Sequence, residues 1–260
     1  MAGSGPMARL GASVWRTVRY SRAVRRGLDT HPAFAVAGRS ALVTGGTNGI
    51  GAALCAELVR RGAAVTSVDV DTPDVARPGV EHVEGDVRSF DFSSLPPVDI
   101  VVANAGVVDS SRHRPLDEDA TRRLVDINLV GVARTLTAPR TAEARALVIS
   151  SGSAVAPEIH GALYGATKAA ALTYGLAFSE VCPTTVAIVG ITATRLFDAE
   201  AEYQGRTPDP AGTTFGDPAN VAVACLDGLE EGSPVVVTDR DTLRVVVAYG
   251  HSMLGARART

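Results

Sequence analysis

Lys168 is the only lysine among the 25 Lys and Arg residues of the chain, and it stands four residues after Tyr164 in the run YGATK. At i and i+4 of a helix the two side chains share a face. A tyrosine in water titrates at about 10 and is a weak base at neutral pH. A nearby ammonium favours its phenolate. A phenol paired with a compact cation is equipped to take a proton from an alcohol, or to return one to a carbonyl oxygen. Arginine does not substitute here, being more extended and always charged. Alone, Tyr164 reads as a packed aromatic and Lys168 as a solvated helix charge. In a chain that writes its other cations as arginine, the pair reads better as a proton-transfer device.

A second constellation is the loop TGGTNGIG, residues 44–51. It lies between SALVT (40–44), an apolar β-branched run, and a helical stretch (50–62) that stops at Gly62. Gly45 allows a sharp turn off the strand. Gly49 and Gly51 let the backbone approach a pyrophosphate and pack the helix on the sheet, with Thr47, Asn48 and Ile50 completing the loop. The helix N-terminus adds amide donors and a favourable dipole. Asp69 follows Gly51 by 18 residues and ends the next apolar run, AAVTSVD (63–69). A carboxylate there accepts both hydroxyls of an adenosine ribose and repels a 2′-phosphate. No basic residue stands at Thr47, Asn48 or Val70. NAD is therefore expected over NADP.

The elements that must hold these groups form a regular series. Further strands are expected at 80–86, 98–106, 144–151, 184–190 and 233–238. Helices are expected at about 116–138, up to Pro139, at 162–180, after the Asp217-Pro218 start, and at 241–254. Strands that are apolar throughout and alternate with helices imply a parallel sheet covered on both faces. Right-handed crossovers make it doubly wound, so the fold class is α/β of Rossmann type.

The 260 residues are 46% hydrophobic, enough for one core. A net charge of −3 gives no sign of a nucleic-acid partner. Seven arginines against one acid make residues 1–39 carry +6, which leaves −9 on the rest. Leu10, Val14, Val18, Val24 and Leu28 fall on one helical face opposite most of these arginines. Residues 1–38 are read as an Arg-rich amphipathic extension and linker, and 39–260 as the folded domain. The extension suits packing on the domain or a second subunit, peripheral contact with an anionic membrane, or docking to a partner. Cys55, Cys182 and Cys225 are far apart and odd in number, without zinc spacing, so a reduced cytoplasmic protein without a metal is expected. No secretory signal and no spanning run of about 18 apolar residues is found.

These motifs together resemble the short-chain dehydrogenase/reductase (SDR) family over about residues 39–239. The loop has the TGxxxGxG spacing. GDV (85–87), NAG (104–106), INLVG (127–131) and ISS (149–151) precede YGATK in the family order, and Ser151 stands 13 residues before Tyr164. The resemblance implies a seven-stranded sheet in the order 3-2-1-4-5-6-7. It assigns Asp86 and Val87 to the adenine, and Asn104, Ala105 and Gly106 to the wall beside the cofactor. Tyr164 is implied as acid and base, with Lys168 beside it and on the nicotinamide ribose. Ser151 would hold the substrate oxygen, and Asn128 a water leading from Lys168 to solvent. Gly190, Ile191 and Thr194 would meet the nicotinamide. Val189 stands where the family usually has proline.

The function so implied is hydride exchange between NAD(H) and a secondary alcohol or ketone, in a homodimer or homotetramer. An epimerase-type reaction or a non-catalytic NAD sensor are the alternatives. Ser153, His160, Leu196 and Phe197 are expected on the substrate side, His160 equally as a loop-surface residue. Residues 191–216 have the composition of an apolar lid.

Overall fold

A computed structural model describes residues 29–73, 75–108, 117–156, 161–194 and 216–254. The strands are β1 (Ser40–Thr44), β2 (Ala64–Asp69), β3 (Val80–Glu84), β4 (Val98–Ala103), β5 (Arg140–Ser151), β6 (Thr184–Val189) and β7 (Val235–Val237). They form one sheet in the order β3-β2-β1-β4-β5-β6-β7, every pair parallel. The expected Rossmann-type topology is present. Its cause is visible in the central strands: Leu42, Val43, Ile100, Val101, Leu147, Val148 and Val186 are all fully buried, which requires cover on both faces.

Helix α1 (Gly49–Arg60) and helix α5 (Pro218–Glu231) cover one face, with Leu54, Leu58, Leu226 and Leu229 against the strands. Each such side chain contributes about 1.5–3 kcal/mol on burial. The other face is covered by α2 (Glu118–Val125), which passes through a wide turn at Asp126–Gly131 into α3 (Val132–Thr135), and by α4 (Ala162–Phe178). A last helix, α6 (Arg240–Leu254), follows β7. Among the described residues no helix is long and apolar enough to cross a membrane.

The starts of the helices follow their sequence signals. Asp217 accepts a hydrogen bond from the Ala219 amide at 2.9 Å, with Pro218 behind it. Asp117 does the same for Ala120 at 2.8 Å. Two connections are shorter than the pattern of alternating helices requires. Residues 70–79 join β2 to β3 without a helix among the described residues, and β3 reaches β4 through one 3-10 turn, Phe92–Ser94.

Strand β5 begins at Arg140, four residues before the apolar run at 144. The extra segment is paired through Arg140 to Val98 before the register shifts. Its side chains Thr141 and Glu143 are exposed, so hydrophobic patterning did not mark them as strand.

The stretch before β1, read as linker, is bonded to the domain. The His31 amide donates to Gly232 O at 2.8 Å, Phe34 to Glu230 O at 2.8 Å, and Val36 to the Glu230 carboxylate at 3.0 Å. Phe34 and Val36 join the core, and the Phe34 ring lies 4.9 and 5.1 Å from the Arg39 and Arg145 guanidinium carbons. Close by, Arg61 ties α1 to α5, pairing with Glu57, Asp227 and Glu230 at 2.6–2.8 Å. The three cysteines are buried free thiols; burial pushes Cys55 and Cys225 up to about 12, which leaves them unreactive.

Candidate functional site

The site lies along the C-terminal edge of the sheet, at the ends of β1, β2, β4, β5 and β6. The glycine loop turns from β1 into α1 there. Gly45 has φ +70°, and a Cβ on it would stand 2.8 Å from Ala105 Cα. A Cβ on Gly51 would overlap the Gly45 carbonyl oxygen and lie 2.5 Å from Asn104 Nδ2. Only glycine leaves this turn closed. Asn104, leaving β4, donates to the Thr44 and Gly45 carbonyls at 3.0 Å each, and the Ala105 amide donates to Thr44 Oγ1 at 3.4 Å.

Asn48 stands at the N-cap of α1 but makes no capping bond, and the first turn contains no acid. Its leading amides therefore stay available to an anion. Thr194 lies over this cradle, its methyl 3.1 Å from the position a Cβ of Gly49 would take. The chemistry fits the pyrophosphate of a dinucleotide.

Asp69 is not a solvated strand-end acid. Its Oδ2 accepts from the Thr47 amide at 2.9 Å and its Oδ1 from the Asp71 amide at 3.2 Å. Each oxygen keeps a lone pair, so a ribose hydroxyl can still be accepted. Asp86 is engaged by Arg88, whose hydrogen bonds hold its carboxyl below the usual carboxylate range. Val87 is buried against Gly131.

Lys168 is 4% exposed. Its Nζ donates to Ile149 O at 3.2 Å and lies 5.8 Å from the Tyr164 ring centroid. Burial pushes it down to about 8, so it is still largely charged at neutral pH. Gly106 makes room for it, since a Cβ there would meet Nζ at 3.2 Å and Asn128 Oδ1 at 3.4 Å.

Asn128 sits in the wide turn, fully buried. Its Oδ1 accepts from Val107 N and its Nδ2 donates to Val107 O, both at 2.8 Å. Nδ2 also donates to Thr167 Oγ1 at 3.1 Å, and Thr167 donates to Tyr164 O at 2.7 Å. Asn128 thus locks α4 to the segment after β4. Thr167, which sequence reasoning missed, is the link.

Among the serines, Ser150 is buried and donates to Lys168 O at 2.9 Å. It serves the backbone. Ser151 ends β5, half-buried, and accepts from the Ser153 amide at 3.2 Å; a hydroxyl that accepts can also donate its proton. Ser153 lies in the next turn, its carbonyl 2.8 Å from where a Cβ of Gly165 would be.

Beyond β6, Gly190 packs against Asp239 and Thr242 at the start of α6, and Ile191 is half exposed. Asp239 caps that helix, accepting from the Thr242 amide and hydroxyl at 2.8 Å each. The C-terminal segment, outside the motifs, therefore floors the site; the spacing Asp239 to Thr242 is the one local sign of it. His160, Leu196 and Phe197 lie outside the described residues. No group of three metal-binding side chains occurs among the described residues.

The topology and the glycine cradle define a dinucleotide-binding Rossmann-type fold. The model of the short chain dehydrogenase family matches residues 39–198, and the chain belongs to that family. It is 34% identical over 214 residues to cis-4-hydroxycyclohexanecarboxylate dehydrogenase of Sinomonas cyclohexanicum, covering 67% of this chain and 83% of that protein. An uncharacterized oxidoreductase of Bacillus subtilis is 27% identical over 169 residues, covering 57% of this chain and 64% of that protein. The matched part spans about half the length of several other curated relatives.

Among solved structures, a short-chain dehydrogenase/reductase from Burkholderia phymatum in complex with NAD superposes with TM-score 0.72 at 17% identity, covering 87% of this chain and 98% of that one. One from Sphingobium yanoikuyae in complex with NADPH superposes with TM-score 0.64 at 19% identity, covering 85% and 97%. Fold relatives thus bind either nicotinamide cofactor.

Proposed function

We propose that the protein exchanges hydride between NAD(H) and a secondary alcohol or ketone, with Tyr164 as acid and base. The observation that carries this is the buried Lys168 ammonium held between Ile149, Gly106 and the Tyr164 ring. A bound nicotinamide supplies or accepts the hydride. The chain's own residues do the rest. Gly45, Gly49 and Gly51 open the cradle for the pyrophosphate, and Asp69 accepts the adenosine ribose. Lys168 sets the charge beside Tyr164, favouring phenolate. Tyr164 takes the alcohol proton in oxidation and returns it in reduction. Ser151 donates its hydroxyl proton to the substrate oxygen. Asn128 acts through structure, fixing α4 and hence the Tyr164–Lys168 face.

Asp69 favours NAD by repelling a 2′-phosphate. The relative that acts on a hydroxycyclohexane carboxylate supports cyclic secondary alcohols as the first substrates to try. A cytoplasmic homo-oligomer is the setting that goes with this reading.

The test is a panel of cyclic and acyclic secondary alcohols with NAD⁺, followed by reduced-nicotinamide absorbance. Tyr164→Phe should remove turnover, by about 10²-fold or more, while calorimetric NAD⁺ affinity stays within twofold to threefold. Turnover retained in Tyr164→Phe would refute the assignment.

A further inference from the structure

The case for NAD rested on Asp69 and on the absence of a cation at the chain neighbours of the loop. The fold adds a cation from elsewhere. Among the described residues, 70–79 cross from β2 to β3 without a helix, and there Arg77 Nη2 donates to Thr47 O at 3.0 Å. Thr47 is then held at both ends of its backbone. Asp69 takes its amide at 2.9 Å and Arg77 takes its carbonyl. Its hydroxyl donates to Asp71 O at 3.0 Å.

The carboxylate and the guanidinium are thus separated by one residue and two hydrogen bonds, a span of at most about 10 Å given backbone dimensions. The Cys55 thiol feels both charges, Arg77 lowering and Asp69 raising it. Among the described residues Thr47 O is the one hydrogen-bond partner of the Arg77 side chain, and a guanidinium carries five donors in all.

We propose that Arg77 is a specificity-determining residue of the cofactor site: it offsets Asp69 and lets the 2′-phosphate of NADP(H) bind beside Thr47. Cofactor choice is set by the Asp69–Arg77 pair, and not by Asp69 alone. The inference rests on the dinucleotide site proposed above and deepens it. A single positive charge within a Debye length of a phosphate, partly screened, changes its affinity by about tenfold.

The experiment is calorimetric binding of NAD⁺, NADP⁺ and 2′,5′-ADP to the full chain without substrate. Arg77→Gln keeps an amide donor for Thr47 O and removes the charge. It should raise the ratio of Kd for NADP⁺ to Kd for NAD⁺ by about tenfold, and weaken 2′,5′-ADP in parallel. Arg77→Lys should restore most of the wild-type ratio. An unchanged ratio in Arg77→Gln overturns the proposal, and so does an equal loss for both cofactors in Gln and Lys variants, which would make Arg77 only a strut for the loop. If the wild type prefers NADP⁺ while the ratio still depends on Arg77, the NAD preference falls and this inference stands. If the wild type binds neither dinucleotide, both fall.

Discussion

Lys168→Met separates what the lysine costs the fold from what it does in the site. Burial lowers Lys168 from 10.5 to about 8. At 1.36 kcal/mol per unit, that gap corresponds to about 3 kcal/mol of unfavourable charge burial. The sign follows from proton counts. Between about pH 8 and 10.5 the unfolded chain keeps the lysine proton and the folded chain does not, so this group makes stability rise with pH across that window. Below about pH 8 the full cost is present.

Methionine has similar length and no charge. It forfeits the bond that the ammonium donates to Ile149 O, worth about 1.5–3 kcal/mol for a charged donor. The variant should therefore be no less stable than wild type at pH 7, by a margin of up to about 2 kcal/mol. That advantage should fade to zero or below as pH approaches 10.5. Urea unfolding of the cofactor-free protein at pH 7 and pH 10 reads it directly. The same variant should lose turnover, because the ammonium that favours the Tyr164 phenolate is gone. A Lys168→Met protein that is destabilised equally at both pH values would refute the reasoning, since the buried ammonium would then be fully compensated by its surroundings.

Gly51→Ala places a methyl on the Gly45 carbonyl and against Asn104 Nδ2; it should cost about 1–3 kcal/mol of stability and weaken calorimetric NAD⁺ binding by more than tenfold. Glu57 is held at about 2, first by its hydrogen bonds from Arg60 and also by Arg61. Its depressed carboxyl contributes stability that is complete above pH 4.5 and lost as pH falls through about 2. Glu57→Gln should accordingly be less stable than wild type at pH 7 by denaturant unfolding, with the gap closing across that acid window.

The sheet was legible because its strands are buried on both faces and so carry unbroken apolar runs, and the crossover rule leaves few orders for such strands. The strand ends were legible only where apolar patterning stops with the strand. Residues 140–143 break this link: Arg140 reaches a β4 partner while Thr141 and Glu143 stay in solvent, and polar edge residues look like loop. The linker reading of 29–38 failed to foresee docking for the opposite reason. Phe34 and Val36 bury themselves without any period, two apolar side chains in an irregular segment held by Glu230 from far along the chain.

The site divides the same way. Tyr164 with Lys168, and Gly45 with Gly51, are local spacings, and chemistry can be read from them directly. Ser150 and Thr167 are separated from the reacting pair by contacts rather than by spacing, and their roles emerged only as hydrogen bonds to Lys168 O and Tyr164 O. Cofactor choice is the sharpest instance. A sequence argument looks for a cation beside Asp69 at Val70, or in the loop at Thr47 and Asn48, because those positions are certain to be near. Electrostatics has no such restriction, since a guanidinium eight residues downstream returns to the loop through its bond to Thr47 O. The course of the chain between β2 and β3 therefore sets more than the cover of an edge strand. On the proposed reading it also sets which charges reach the adenosine end of the site.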